Sequence, residues 1–114
     1  MVSVLLVEDE ALIRLMIADM LVELGHKVAG EAGDLQTGLT LASAAVIDVA
    51  ILDVRLGPDS SEAIADVLRT RNIPFVFATG YGADGVPASY RERPALCKPF
   101  QAEELDRCLR ALRG

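Results

Sequence analysis

The sequence predicts an α/β domain: a doubly wound five-stranded parallel sheet with helices on both faces. Three observations predict it. Short apolar runs alternate five times with segments of helical character. The runs over 2–7, 49–52 and 75–78 are apolar but for Ser3, as in strands buried on both faces of a parallel sheet. The 114 residues, 52% hydrophobic, suffice for one core, and with only 4% aromatic residues that core must be aliphatic.

Each element has its own justification. The first run, 2–7, ends on Glu8-Asp9-Glu10 at the carboxyl end of a strand. One acid there caps the next helix and suits its positive end. Three exceed that need. A helix follows over about 10–24, with Gly25 as its stop. At about 100° per residue, Ile13, Met16, Ile17, Met20 and Leu24 share the face expected against the sheet. Ala11, Leu15, Ala18 and Val22 lie opposite, where a surface helix ordinarily keeps polar residues. That face reads as a contact surface for a partner, against the plainer reading of scattered exposed aliphatics.

Residues 26–31 form a short, less apolar strand nearer an edge, and His26, with no companion ligand nearby, reads as a surface residue. Asp34 caps a helix over 35–45 that buries Leu35, Leu39 and Leu41 or Ala42. The strand 49–54 carries Asp53 at its end. A carboxylate inside it would be costly to desolvate, so Asp53 belongs where the strand meets solvent. A polar loop, 55–60, leads to a helix over 62–71 capped by Ser60 or Ser61, with Ile64, Val67 and Leu68 inward. The strand 75–79 ends on Thr79. Three glycines and a proline over 80–87 predict a loop or a short irregular fourth helix reaching Tyr90. The strand 95–97 runs into Lys98-Pro99-Phe100. The last helix, 102–112, turns Leu105, Cys108, Leu109 and Leu112 inward, with Glu103 and Glu104 at its start and arginines at its end.

There is no linker, repeat or low-complexity segment, so residues 1–114 read as one domain with no effector domain after Gly114. Lys plus Arg is 11 against 17 Asp plus Glu, a net charge of −6. That argues against nucleic-acid binding and suits a bound cation or a basic partner surface. Cys97 and Cys108 form no CxxC and read as small buried hydrophobes in a reducing compartment. No apolar run approaches the roughly 18 residues of a membrane span, and no basic leader precedes the first run. A cytoplasmic location is expected.

The polar residues fall into a constellation. Glu8 and Asp9 end the first strand, Asp53 the third, Thr79 the fourth and Lys98 the fifth. Carboxyl ends of parallel strands converge on one edge, where ligands bind in open α/β sheets. Clustered carboxylates repel unless a cation joins them. Mg²⁺ takes one or two carboxylates, waters and phosphate oxygens. A hydroxyl and an ammonium opposite the metal match a phosphoryl group's other oxygens. Asp53 is then the nucleophile that takes the phosphoryl as an acyl phosphate.

On these residues the chain resembles the receiver domains of two-component response regulators over essentially its whole length. The resemblance implies a flavodoxin-like (CheY-like) strand order 2-1-3-4-5, with Glu8 and Asp9 as the acidic pair for Mg²⁺ and Asp53 as phosphoacceptor. It also implies the Arg55 backbone carbonyl as a further metal ligand, Thr79 as the switch hydroxyl, Lys98 as the family's lysine, and a cis Lys98-Pro99 bond. Where most receivers carry an aromatic switch, three positions before the lysine, this chain has Ala95. The stretch 74–82, Pro-Phe-Val-Phe-Ala-Thr-Gly-Tyr-Gly, is similar to the Phe-Ala-Thr-Gly-x-Tyr subgroup, which lacks that switch and has an atypical fourth helix. Tyr81 is the aromatic placed to substitute. The implied partner is a histidine kinase of the HWE or a related class, docking on Ala11, Leu15, Ala18 and Val22. Weak homodimerisation is a further expectation, and output proceeds by protein contact, as a stand-alone regulator or a phosphate shuttle or sink.

Three rival readings bear on the same residues. A Mg²⁺-dependent aspartyl phosphatase would carry a second Asp two residues after Asp53, where Arg55 stands. A P-loop NTPase needs GxxxxGK[ST], which is absent. A receiver-fold module that binds partners without phosphorylation keeps the fold and leaves the site idle.

Overall fold

In the computed structural model, which describes residues 2–80, 85–91, 93 and 95–113, the three most apolar runs form the centre of a sheet. They are β1 (Ser3–Val7), β3 (Val49–Asp53) and β6 (Phe75–Thr79). Their side chains are apolar on both faces, so they fit only where helices cover both. β2 (Lys27–Ala32) and β7 (Ala95–Cys97) are the edges.

All five strands are parallel, in the order β2-β1-β3-β6-β7. The loop expected over 55–60 contains a two-residue antiparallel hairpin, β4 (Arg55–Leu56) with β5 (Asp59–Ser60), outside this sheet. Setting it aside, the order is the expected 2-1-3-4-5.

α2 (Leu35–Ala44) and α3 (Glu62–Thr70) cover one face, packing on Val7, Ala50, Leu52, Phe75 and Phe77. α1 (Ala11–Glu23) and α4 (Ala102–Arg113) cover the other, over Leu6, Ile51, Val76 and Ala78. The neighbours in each strand alternate between the two clusters, as the pleat requires.

The helix caps follow the sequence closely. Asp34 Oδ1 accepts from Thr37 N–H at 2.7 Å. Ser60 Oγ accepts from Glu62 N–H at 3.1 Å, whereas Ser61, the residue before α3, makes no side-chain cap. Gly25, at φ +85°, ends α1 with its N–H on the Val22 carbonyl. Neither Glu8 nor Asp9 caps α1, because Glu10 occupies the cap position without a side-chain bond.

Several expectations are corrected. α1 is apolar except for Arg14, Asp19 and Glu23, which blurs its two faces. Ile17 and Leu21 are its buried residues, while Met16, expected against the sheet, is 53% exposed. Ala18, expected outside, packs against the core. His26 is part-buried, its Nδ1 accepting the Val2 N–H at 3.2 Å. Cys97 is exposed, because alternation along an edge strand turns Leu96 inward and Ala95 and Cys97 outward. The expected irregular fourth helix is, among the described residues, a 3₁₀ turn at Ala88–Tyr90.

Candidate functional site

Strand register decides which side chains meet. Val7 pairs with Leu52, Asp53 with Ala78, and Thr79 with Cys97. Glu8 follows Val7 and Lys98 follows Cys97, so the polar residue at each strand's end arrives at one level. Glu8, Asp9 and Asp53 each offer an oxygen, and these oxygens lie within 4.8 Å of one another.

Lys98 stands beside them. Its Nζ donates to Glu8 Oε1 at 2.7 Å and lies 3.3 Å from Asp53 Oδ1. Glu8 is almost wholly buried and fully engaged, with Oε2 accepting the Glu10 N–H at 3.0 Å. A buried carboxylate persists only with such partners. Asp9 is exposed and accepts from the Gly57 N–H at 3.0 Å. Thr79 is buried, and its carbonyl accepts the Lys98 N–H at 2.8 Å. The Lys98–Pro99 bond is cis.

The electrostatics follow from this crowding. Burial, with the hydrogen bond and charge of Glu8, pushes the Asp53 carboxyl up to about 7 against the pull of Lys98. Burial opposes the charge of Lys98, but the Glu8 and Asp53 carboxylates outweigh it and hold the ammonium above its ordinary value. Burial works against the Asp9 charge too, yet the Gly57 N–H and neighbouring side chains keep it below the usual carboxylate range.

A groove of about 680 Å³ opens from the cluster along α1. Asp9, Asp53, Arg55, Thr79 and Lys98 line its polar end, and Ile13, Met16, Ile17, Met20 and Phe100 its apolar wall. Of the expected partner face, Ala11, Leu15 and Val22 are exposed, and Ala18 is not part of it. Leu12, at 71%, and Met16 join it instead. Ala95 stands exposed on the edge strand, and Tyr81 lies outside the described residues.

Sequence reading missed three contacts that fix the site. These are the Glu8–Lys98 pair, the Gly57 N–H on Asp9, and Arg14 Nη1 donating to the Glu8 carbonyl at 2.7 Å. The Gly57-Pro58 pair signals a tight turn but not what its amide touches.

A doubly wound sheet with an acid cluster, a buried hydroxyl residue and a lysine at its carboxyl edge defines a receiver-type signalling domain. The chain belongs to the response regulator receiver domain family, whose model matches residues 4–110. It is 41% identical to SdrG from Sphingomonas melonis Fr1, whose solution structure superposes with a TM-score of 0.87 over 98% of this chain and 96% of that one. Transcriptional regulatory protein PdtaR of Mycobacterium tuberculosis is 37% identical over 106 residues, 90% of this chain and 52% of that protein. Phyllosphere-induced regulator PhyR of Methylorubrum extorquens is 34% identical over 104 residues, 87% of this chain and 39% of that protein. The chain thus spans about half the length of PdtaR and less of PhyR.

Proposed function

We propose that Asp53 accepts a phosphoryl group from the phosphohistidine of a partner histidine kinase, of the HWE or a related class. An Asp53 oxygen attacks phosphorus in line, the new O–P bond forms as the P–N bond breaks, and the electron pair returns to the imidazole. The observation that carries this reading is Asp53 at the end of the central strand, within 4.8 Å of two other acids and 3.3 Å from Lys98. A lone surface aspartate needs none of those neighbours.

The donor set fits Mg²⁺: three hard carboxylate oxygens in one crowded place, one of them on the exposed Asp9. Asp9 and Asp53 would hold the ion with the Arg55 backbone carbonyl, and Glu8 completes the acid cluster. When bound, Mg²⁺ supplies charge neutralisation for the phosphoryl oxygens. Lys98, already beside Asp53, is placed to pair with a phosphoryl oxygen, and the Thr79 hydroxyl is assigned another. The added charge of about −1.5 to −2 then redraws the contacts of Thr79 and Lys98.

The kinase is assigned to the apolar face of α1 beside the acids, where Leu12, Leu15 and Met16 are exposed and the groove begins. The domain works in the cytoplasm and signals by protein contact. Incubation with acetyl phosphate and Mg²⁺ tests the acceptor role: the intact mass should rise by one phosphoryl group in the wild type and not in Asp53→Ala. An unchanged wild-type mass favours an interaction module that works without phosphorylation.

A further inference from the structure

Each acid of the cluster is held differently. Glu8 is fastened by Lys98 and the Glu10 N–H, and Asp53 by Lys98. Asp9 is fastened by the Gly57 N–H, across 48 residues of sequence. Gly57 is at the tip of the β4–β5 hairpin with φ +63°, a left-handed conformation.

That tip is braced. Leu56 is buried, Arg55 Nη2 donates to the Pro58 carbonyl at 3.0 Å, and the Ser61 N–H and hydroxyl both donate to the Val54 carbonyl. The Gly57 amide therefore reaches Asp9 from a fixed element. A carboxylate has lone pairs on both oxygens, and the Gly57 bond occupies only Oδ2.

We propose that Gly57 is a positioning residue for the cation site. Its N–H holds Asp9 within the cluster before any cation arrives. It also couples Asp9 to the loop that carries Arg55, so that two ligands from distant parts of the chain are set together. The inference rests on the reading of the cluster as a Mg²⁺ site.

The backbone conformation supplies the test. A Cβ on Gly57 meets nothing within 4 Å, so the left-handed φ alone decides what is tolerated. Asparagine adopts that conformation and a β-branched residue does not. Mg²⁺ titration of the full chain, followed by amide NMR shifts, should give Gly57→Asn a Kd within about twofold of wild type and Gly57→Val a Kd about tenfold weaker. In an Asp9→Ala background, Gly57→Val should cost nothing further, since no carboxylate remains to be positioned. Hydrogen exchange of the Gly57 amide in metal-free protein should quicken by about tenfold or more in Asp9→Ala, with the Ser61 amide unchanged.

An equal cost of Gly57→Val in both backgrounds would make the residue merely structural and overturn the proposal. Unchanged Gly57 exchange in Asp9→Ala would overturn it as well, and that comparison stands even where Gly57→Val fails to fold. A wild-type chain that shows no Mg²⁺ titration instead removes the cation-site reading, while the exchange comparison still decides whether Gly57 holds Asp9.

Discussion

Burial and the Glu8 carboxylate push the Asp53 carboxyl up to about 7 from its ordinary 3.8, although Lys98 pulls the other way. Between about pH 4 and pH 7 the folded protein keeps a proton that the unfolded chain has released. Stability therefore falls as pH rises through that window, and above pH 7 the loss is complete. Solvent reaches this carboxyl at the sheet edge, so the loss is about 1–2 kcal/mol rather than the full value of the shift. Asp53→Asn is neutral throughout and should abolish this contribution. The urea midpoint without Mg²⁺ should drop from pH 5 to pH 8 in the wild type and stay nearly level in the variant, and an equal drop in both would contradict the assignment. The residues of the site were legible as types, because a polar side chain that closes an apolar strand must meet solvent or a ligand at the sheet's edge. Their pairings were not. That Glu8 takes Lys98, or that His26 accepts from Val2, depends on contacts 90 and 24 residues apart.

Among the elements, α1 was the least legible. Periodicity separates two faces only when they differ, and here both are aliphatic, so Met16 and Ala18 exchanged places between expectation and structure. The exposed face nonetheless survives as Leu12, Leu15, Met16 and Val22. Leu15, 56% exposed, can become Glu at little cost to folding, within about 0.5 kcal/mol. Leu15→Glu should slow phosphoryl transfer from the kinase about tenfold and leave phosphorylation by acetyl phosphate unchanged. Equal loss of both would remove the docking face. α2 and α3 show the opposite case, a contact that only coordinates reveal. Gly38 is buried where a Cβ would stand 2.5 Å from Ile64 Cδ1. Gly38→Ala should destabilise the protein by about 1–2 kcal/mol in chemical unfolding, through overpacking. Ile64→Val removes the clashing methyl, so the double variant should lose less than the two singles together. Additive losses would show that Ile64 is not what Gly38 accommodates.

Across the whole molecule, the parallel sheet was legible from its apolar runs, and right-handed crossovers left few arrangements; the strand order itself was implied by the resemblance to receiver domains. The β4–β5 hairpin was not legible, since two-residue strands carry no period to detect. The architecture sets how a ligand at one edge acts on everything else. Glu8 and Asp9 directly follow β1 and Asp53 ends β3, in the middle of a sheet clad on both faces by helices. A cation bound there contacts the element around which both cores are built, so its binding free energy appears in global unfolding. At Mg²⁺ ten times its Kd, linkage adds about 1.4 kcal/mol, which for a domain of this size raises the Tm by about 5 °C. A chain of net charge −6 also gains from screening alone. NaCl at matched ionic strength is therefore the reference, and the Mg²⁺ increment above it should disappear in Asp9→Ala. An increment that persists in Asp9→Ala would place the Mg²⁺ effect on the general surface charge rather than on the strand-end acids.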